Sequence, residues 1–305
     1  MNLNHCSTPN RWLAFELSVL RRLKFASAID PFAGDARLGA RLKRWGVRVI
    51  VNDIAQWAWT CGLARVQNDA RRLTEEDLAL ALEDAYVPRQ RLQNEALRRW
   101  FKETDAIWLD NVRANVERIP DPMSRAAAMT LALMVGDYAL SFDERTEALR
   151  QPLSQVFRQL WMTFPSPIDN QQQNLAFNDE AREFILRQKA DLIFIRLPRP
   201  RPARRWAWRE TWVRGHEAWM EELELKLVDR LGTRVASKRQ YLRLAEETFE
   251  AASHIPLWVI EWTEDGFISA EEIATAVNQV RKVETIYAKD FSELTNGRAA
   301  IITAT

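Results

Sequence analysis

The sequence has little of the chemistry on which disulfide-rich and metal-binding proteins depend. Its 305 residues include only two cysteines, Cys6 and Cys61, and three histidines. Two cysteines without a CxxC pair or a neighbouring histidine cluster make neither a disulfide framework nor a zinc site. We therefore predict no metal site, and the cysteine usage indicates the reducing cytoplasm.

Long apolar runs and an excess of one charge are also missing. No run of eighteen or more apolar residues occurs, and residues 1–10 are polar, so neither a membrane span nor a secretory signal is predicted. The formal net charge is +1, so a nucleic-acid surface would have to come from local clusters of cations. Apolar residues are plentiful, at 47%, which is enough for a sizeable core.

Strand patterns occupy both ends of the chain, and helical spacing occupies the middle. A strand at 28–30, a helix at 38–45 and a strand at 47–53 predict one βαβ unit. Strand character returns at three later segments, which are 190–195, 257–262 and 282–287. From about residue 65 to 161 the apolar spacing is helical.

This alternation predicts an α/β fold with one Rossmann-like, doubly wound sheet. We predict that residues 1–64 and 175–305 build the α/β domain. Residues 65–174 are predicted to form a helical subdomain inserted into it, for target recognition or partner binding.

The loop after the first strand has the features of a nucleotide-binding turn. Asp30-Pro31-Phe32-Ala33-Gly34 joins a strand to a helix at the carboxyl edge of the sheet, where ligands of open α/β folds bind. Asp53, at the end of the next strand, is placed to accept hydrogen bonds from the hydroxyls of a ribose. The pattern indicates a cofactor that contains a nucleoside, although a glycine turn beside a solvated aspartate would look the same.

These segments resemble the cofactor motifs of D12-class N6-adenine-specific DNA methyltransferases. That family binds S-adenosylmethionine in the loop that corresponds here to D-P-F-A-G. The stretch NLAFNDEAREFI, residues 174–185, is similar to the family segment that ends in an acidic residue near the adenine ring. The stretch LWVIEWTEDGFISAEEI, residues 257–273, resembles the later strand, glycine turn and helix of the family.

The resemblance implies a methyltransferase sheet and a set of residues that bind S-adenosylmethionine. These residues are Asp30, Phe32, Gly34, Asp53 and Asp179, with Glu180 as the alternative to Asp179. The helical insertion lies where these enzymes carry their target-recognition region. The implied partner is DNA.

The catalytic motif of the family is replaced in this chain. Where the family has Asp-Pro-Pro-Tyr after a strand, this sequence has Arg196-Leu197-Pro198-Arg199. In the resembled enzymes the aspartate accepts a hydrogen bond from the adenine amino group, and the tyrosine stacks on a flipped base. Arg196 offers donors only, so the catalytic positions are degenerate and loss of methyl transfer is favoured.

The cofactor loop also departs from the family pattern. Ala36 stands where the family has a second glycine, and Asp35 adds a carboxylate near the expected methionine tail of the cofactor. Both changes weaken binding, and Arg37 compensates in part. Two alternatives therefore follow from the sequence: the loop binds S-adenosylmethionine, or it has lost the cofactor.

A basic, aromatic segment follows the degenerate motif. We predict DNA contacts from its arginines and tryptophans, which are Arg201, Arg204, Arg205, Trp206 and Trp208. The alternative is a stiff linker whose arginines pair with nearby acids and whose tryptophans are core.

Three functions remain open from the sequence. The first is an inactive methyltransferase homologue that binds DNA or acts as the partner of an active subunit. The second is an active enzyme with a divergent motif. The third is a protein-interaction scaffold in which the helical insertion is the binding element.

Overall fold

The computed structural model describes residues 10–88, 92–199, 207–264, 266–291 and 298–305. Within these residues seven strands form one sheet, and they are β1 (Ser27–Asp30), β2 (Arg48–Asn52), β3 (Leu175–Phe177), β4 (Leu192–Arg196), β5 (Leu257–Glu264), β6 (Val283–Asp290) and β7 (Arg298–Ala304).

The described residues also form twelve α-helices. They are α1 (Asn10–Leu20), α2 (Arg37–Arg44), α3 (Gln56–Gly62), α4 (Glu75–Ala81), α5 (Glu103–Val116), α6 (Pro122–Ala139), α7 (Leu153–Thr163), α8 (Ala181–Arg187), α9 (Ala207–Arg214), α10 (Trp219–Lys226), α11 (Lys238–Ala251) and α12 (Ala270–Val280). None of the helices in the described ranges has both the length and the apolar character that a membrane crossing requires.

The sheet is mixed, with the strand order β3-β2-β1-β4-β5-β7-β6. The first five strands in this order pair in parallel, whereas β7 runs antiparallel to both β5 and β6. β1 lies between β2 and β4, with Ile29 opposite Ile50 on one side and Ile193 on the other. The predicted α/β fold is therefore confirmed, and the sheet is compatible with a Rossmann-like arrangement.

Helices cover both faces of the sheet because its central strands are apolar on both faces. Ile29 and Ile193 belong to a core with Phe184 of α8 and Phe249 of α11. The residues that alternate with them belong to a second core with α1 and α2, and these residues are Ala28, Leu192 and Phe194. Burial on both faces explains the near-continuous apolar runs by which these strands were predicted.

The regular elements described between β2 and β3 are all helical. Their core includes Trp108 of α5 and Leu131 of α6. However, the same core also takes in Trp57 of α3 and Trp212 of α9, which lie outside residues 65–174. The helical part thus reaches beyond the predicted insertion, and a π-helical turn, Leu63–Gln67, continues directly from α3 across the predicted boundary.

A glycine in α6 makes the packing of α9 possible. A Cβ atom at Gly136 would lie 2.2 Å from Cη2 of Trp208, which is closer than two non-bonded carbon atoms can approach. Trp208 also packs edge to face against Phe101, with ring centroids 5.1 Å apart. This contact fixes α9, the helix that follows β4, against α6 and the segment around Phe101.

Candidate functional site at the carboxyl edge of the sheet

The loop between β1 and α2 keeps a backbone conformation that suits glycine. Gly34 has φ 55° and Ala36 has φ 56°, both in the left-handed region. An alanine there costs roughly 1–2 kcal/mol because its Cβ crowds the backbone. The structure therefore places Ala36 in the conformation that a second glycine would favour, and its buried methyl group lies among core residues of the α1 and α2 face.

Asp53, the predicted ribose acceptor, ties this loop to the start of α3. The Gly34 N–H donates to Asp53 Oδ2 at 3.0 Å, and the Ala55 N–H donates to Asp53 Oδ1 at 2.9 Å. Burial raises the pKa of Asp53 to about 6 against the opposing effect of these two N–H groups. Each carboxylate oxygen has further lone-pair capacity, and Asp53 is only half-buried, so it can accept from a ligand hydroxyl as well.

Asn52 connects the loops that follow β1 and β3. Its side-chain amide donates to the carbonyl oxygens of Pro31 and Asp179, at 3.2 and 3.1 Å, and its Oδ1 accepts from the Asp179 N–H at 2.9 Å. The predicted residue Asp179 therefore lies at the same edge as Asp53. Its carboxylate accepts from the Arg187 guanidinium at 2.9 Å.

Arg196, at the end of β4, is held by two buried acids. It donates to Glu261 Oε2 at 2.9 Å and to Glu16 Oε1 at 3.0 Å. Glu16 and Glu261 are 1% and 3% exposed. The guanidinium also lies 3.9 Å from Asp30 Oδ2 and 3.5 Å from the Phe32 carbonyl oxygen. The degenerate motif thus places a fixed cation against both the cofactor loop and α1.

Burial and the charges around Arg196 together shift the pKa values of this group and of two carboxyls. Burial raises the pKa of Asp30 to about 7, although Arg196 acts in the opposite direction. Burial and the nearby Glu16 hold the pKa of Glu261 well above its ordinary range. Burial acts to lower the pKa of Arg196, but Glu16, Glu261 and Asp30 outweigh it and raise that pKa well above its ordinary value.

The raised pKa values of two buried carboxyls, Asp30 and Glu261, make the stability of this protein pH-dependent. The folded state favours protonated Asp30, so this contribution is complete below pH about 4 and is lost as pH rises through about 7. We expect the free energy of unfolding to fall across this window, with up to about 1.4 kcal/mol per pH unit from Asp30. Asp30→Asn should flatten the profile, because asparagine does not titrate. Urea denaturation between pH 4 and 8 measures this.

Asp191→Asn provides the control for this pH profile. The backbone N–H of Ala26 lowers the pKa of Asp191, so its contribution is present at neutral pH and disappears only in acid. That variant should keep the wild-type slope between pH 4 and 7. Parallel profiles for the wild type and Asp30→Asn in that window would contradict the assignment.

The other three positions of the degenerate motif are structural or exposed. Leu197 is 5% exposed, and its N–H donates to the Glu261 carbonyl oxygen at 3.2 Å. The Pro198 carbonyl accepts from the Tyr241 hydroxyl at 2.7 Å. Arg199 is exposed at the end of this stretch. Of the predicted catalytic positions, only Arg196 lies among the charged groups at the strand ends.

The predicted DNA-contacting segment is only partly within the described residues. Arg201, Arg204, Arg205 and Trp206 lie outside them. The prediction for Trp208 is corrected, because this side chain is 1% exposed and packs in the helical core, where it cannot stack on a base.

The next arginines along the chain are paired with acids. Arg209 makes a bidentate contact with Asp137, and Arg214 pairs with Glu210 and Glu222. Both arginines therefore form ion pairs within the protein. This agrees with the alternative interpretation, in which arginines of this segment pair with nearby acids.

Sequence reasoning missed three residues of this edge. Asn52 could have been noticed as a polar residue at the end of an apolar strand. Glu16 and Glu261 gave a weaker signal, because each is an acid directly flanked by apolar residues in a helix or a strand. In comparisons with known proteins, no family model and no curated protein sequence matches this chain.

Proposed function

We propose that this chain is a methyltransferase-like protein that has lost methyl transfer and acts by binding DNA. A seven-stranded sheet whose last strand runs antiparallel between the fifth and sixth is the arrangement typical of Rossmann-like methyltransferases, and this chain has that order. The glycine-bearing loop and Asp53 lie at its carboxyl edge, in agreement with the same origin.

The geometry of Arg196 is the observation that carries this proposal. Methyl transfer to an amino group needs an acceptor that orients the nitrogen, and Arg196 has only donors. Removing one such electrostatic contact costs about 3–4 kcal/mol of transition-state stabilisation, and a reversal of its charge costs more. Because Glu16 and Glu261 hold the guanidinium, it cannot simply swing away from the strand ends.

The residues at this edge fit only one part of S-adenosylmethionine. Asp53 is half-buried and has the lone pairs to accept from a ribose, which suits the nucleoside part. At the strand end that would face the transferred methyl group, the side chain is a cation paired with Glu16 and Glu261. The residues present therefore fit a bound nucleoside and do not fit transfer of its methyl group.

DNA is the partner that the basic segment favours. Arg199 is exposed, and the sequence adds Arg201, Arg204 and Arg205 directly after it, before α9 begins.

If these cations neutralise phosphates, the logarithm of DNA affinity falls linearly with the logarithm of salt concentration. The double variant Arg204→Ala, Arg205→Ala should flatten that slope by roughly one unit for each lost contact. Fluorescence anisotropy at several salt concentrations measures the slope.

A matched control replaces two exposed arginines elsewhere, Arg145 and Arg158, with alanine. It removes the same charge from the protein and should leave the slope near the wild-type value. Equal slopes for the basic-segment variant and the wild type, or equal losses in both double variants, would count against this segment as the DNA contact.

A further inference from the structure

A cleft of about 240 Å³ lies between the β1–α2 loop and the helices α3 and α6. Asp35 and Arg37 line it from the loop and α2, and Trp57 lines it from α3. Met134 and Asp137 of α6 form the opposite wall. The cleft thus lies where the two parts of the molecule meet, a common place for ligand sites.

Cations outnumber anions in this cleft. Its lining includes three arginines and two aspartates. Arg37 pairs with Asp35 at 2.7 Å, and Arg209 pairs with Asp137 at 2.7 Å. The third arginine, Arg65, makes no ion pair with a described carboxylate. Its guanidinium lies 3.6 Å from the Met134 sulfur and 5.3 Å from the centre of the Phe164 ring.

Two buried donor groups of the lining lack hydrogen-bond acceptors among the described residues. One is the Nε of Arg65, and the other is the indole Nε1 of Trp57, a residue that is only 3% exposed. An unsatisfied buried donor is costly unless an acceptor reaches it. The Arg209 guanidinium lies over the Trp57 ring at 4.7 Å, which adds positive potential to the same wall.

We propose that this cleft binds the phosphate group of a phosphate ester, with Arg65 as the main charge contact and the Trp57 indole N–H as a second donor. Arginine suits phosphate because its planar guanidinium offers two parallel hydrogen bonds. The volume is below the roughly 300–1,000 Å³ of pockets for drug-sized ligands, so the ligand inside is about the size of one nucleotide. The phosphate belongs either to a free nucleotide or to a nucleic-acid strand.

The test uses titration calorimetry of the full-length protein with inorganic phosphate, deoxyadenosine monophosphate, deoxyadenosine and a 5′-phosphorylated oligonucleotide. We expect saturable binding of the phosphate-bearing probes and none of deoxyadenosine at this site. Arg65→Gln should weaken binding by about tenfold or more, because it removes a charge-assisted hydrogen bond. Asp35→Asn should strengthen binding, because it removes a negative charge from the lining.

Arg158→Gln is the matched control, since Arg158 is exposed on α7 and does not line the cleft. A second readout is the indole N–H resonance that disappears in Trp57→Phe, which phosphate should shift in the wild type. Binding that Arg65→Gln leaves unchanged, or no saturable binding of any phosphate probe, would overturn the proposal. Tighter binding of the oligonucleotide identifies a strand as the source of the phosphate, tighter binding of the nucleotide identifies a free ester, and either supports the site.

Phosphate binding in the cleft is tested independently of the proposed DNA contacts of Arg204 and Arg205. Loss of the salt slope in Arg204→Ala, Arg205→Ala concerns that segment alone. The effect of Arg65→Gln on deoxyadenosine monophosphate concerns the cleft alone.

Discussion

Replacing Arg196 with methionine is expected to lower the free energy of unfolding at pH 8 by about 3–5 kcal/mol, the usual cost of breaking a buried ion pair. The variant leaves Glu16 and Glu261 buried, at 1% and 3% exposure, without their shared cation. The loss should be smaller at pH 5, because burial raises the pKa of Glu261 and a lower pH favours its neutral form. Urea denaturation followed by circular dichroism at both pH values measures this difference.

Arg187→Met is the surface control for this experiment. Arg187 pairs with Asp179 across a partly exposed contact, with side chains 57% and 35% exposed. Such pairs contribute about 0–1 kcal/mol, so this variant should stay close to the wild type at either pH. Equal decreases in the free energy of unfolding for Arg196→Met and Arg187→Met would show that Arg196, Glu16 and Glu261 do not form a buried ion-pair network.

The same cluster predicts that a single substitution at Arg196 should not create a methyltransferase. Arg196→Asp would reintroduce the aspartate of the resembled family beside Glu16, Asp30 and Glu261. Four acidic side chains without a cation would repel one another in a poorly solvated place, so the variant should be less stable than Arg196→Met. Methyl transfer by such a variant would need changes at Glu16 and Glu261 as well.

Replacing Trp208 with alanine is the second large change, with an expected loss of about 3–5 kcal/mol in the free energy of unfolding. Trp208 is 1% exposed, and its ring fills the space over Gly136 and against Phe101. Truncation would leave a cavity in the helical core. Thermal and urea denaturation measure the loss. DNA affinity should not change when it is measured under conditions in which the variant is folded.

Trp45→Ala is the control for a large aromatic at the surface. Trp45 is 36% exposed, and Arg21 lies over its ring at 5.4 Å. Its removal should cost clearly less than the removal of Trp208. If Trp208→Ala keeps wild-type stability but loses DNA affinity, the Trp208 side chain contacts DNA and does not pack in the helical core.

Local patterns predicted the parts of the fold that depend on neighbouring residues. The strand, glycine loop, helix and strand from residue 28 to 53 follow one another directly, so the position of Asp53 beside the loop could be predicted. Apolar runs also predicted β4 and β5, because both faces of the sheet are covered.

The surroundings of Arg196 could not be predicted in this way. Glu16 is 180 residues away along the chain, and its contact with Arg196 exists only after α1 packs beside the sheet. The sequence predicted only a hydrogen-bond donor at this position, whereas the structure shows a guanidinium paired with two buried acids.

Trp208 shows a different kind of error. Its position among arginines predicted a surface role, although Trp208 and Trp212 are four residues apart and share one face of α9. That spacing indicates a buried stripe, and greater weight on it would have predicted the packing against the helical subdomain.

The most direct test of the central claim, a methyltransferase-like fold without methyl transfer, is an assay with S-adenosylmethionine that carries a radiolabelled methyl group. The purified protein is incubated with a pool of random-sequence double-stranded DNA, and an active adenine methyltransferase of the resembled family serves as the positive control. We expect label in the DNA to stay at the level of the protein-free background, because Arg196 offers no acceptor for the amino group. Label in adenine that grows with time and protein concentration would contradict the account.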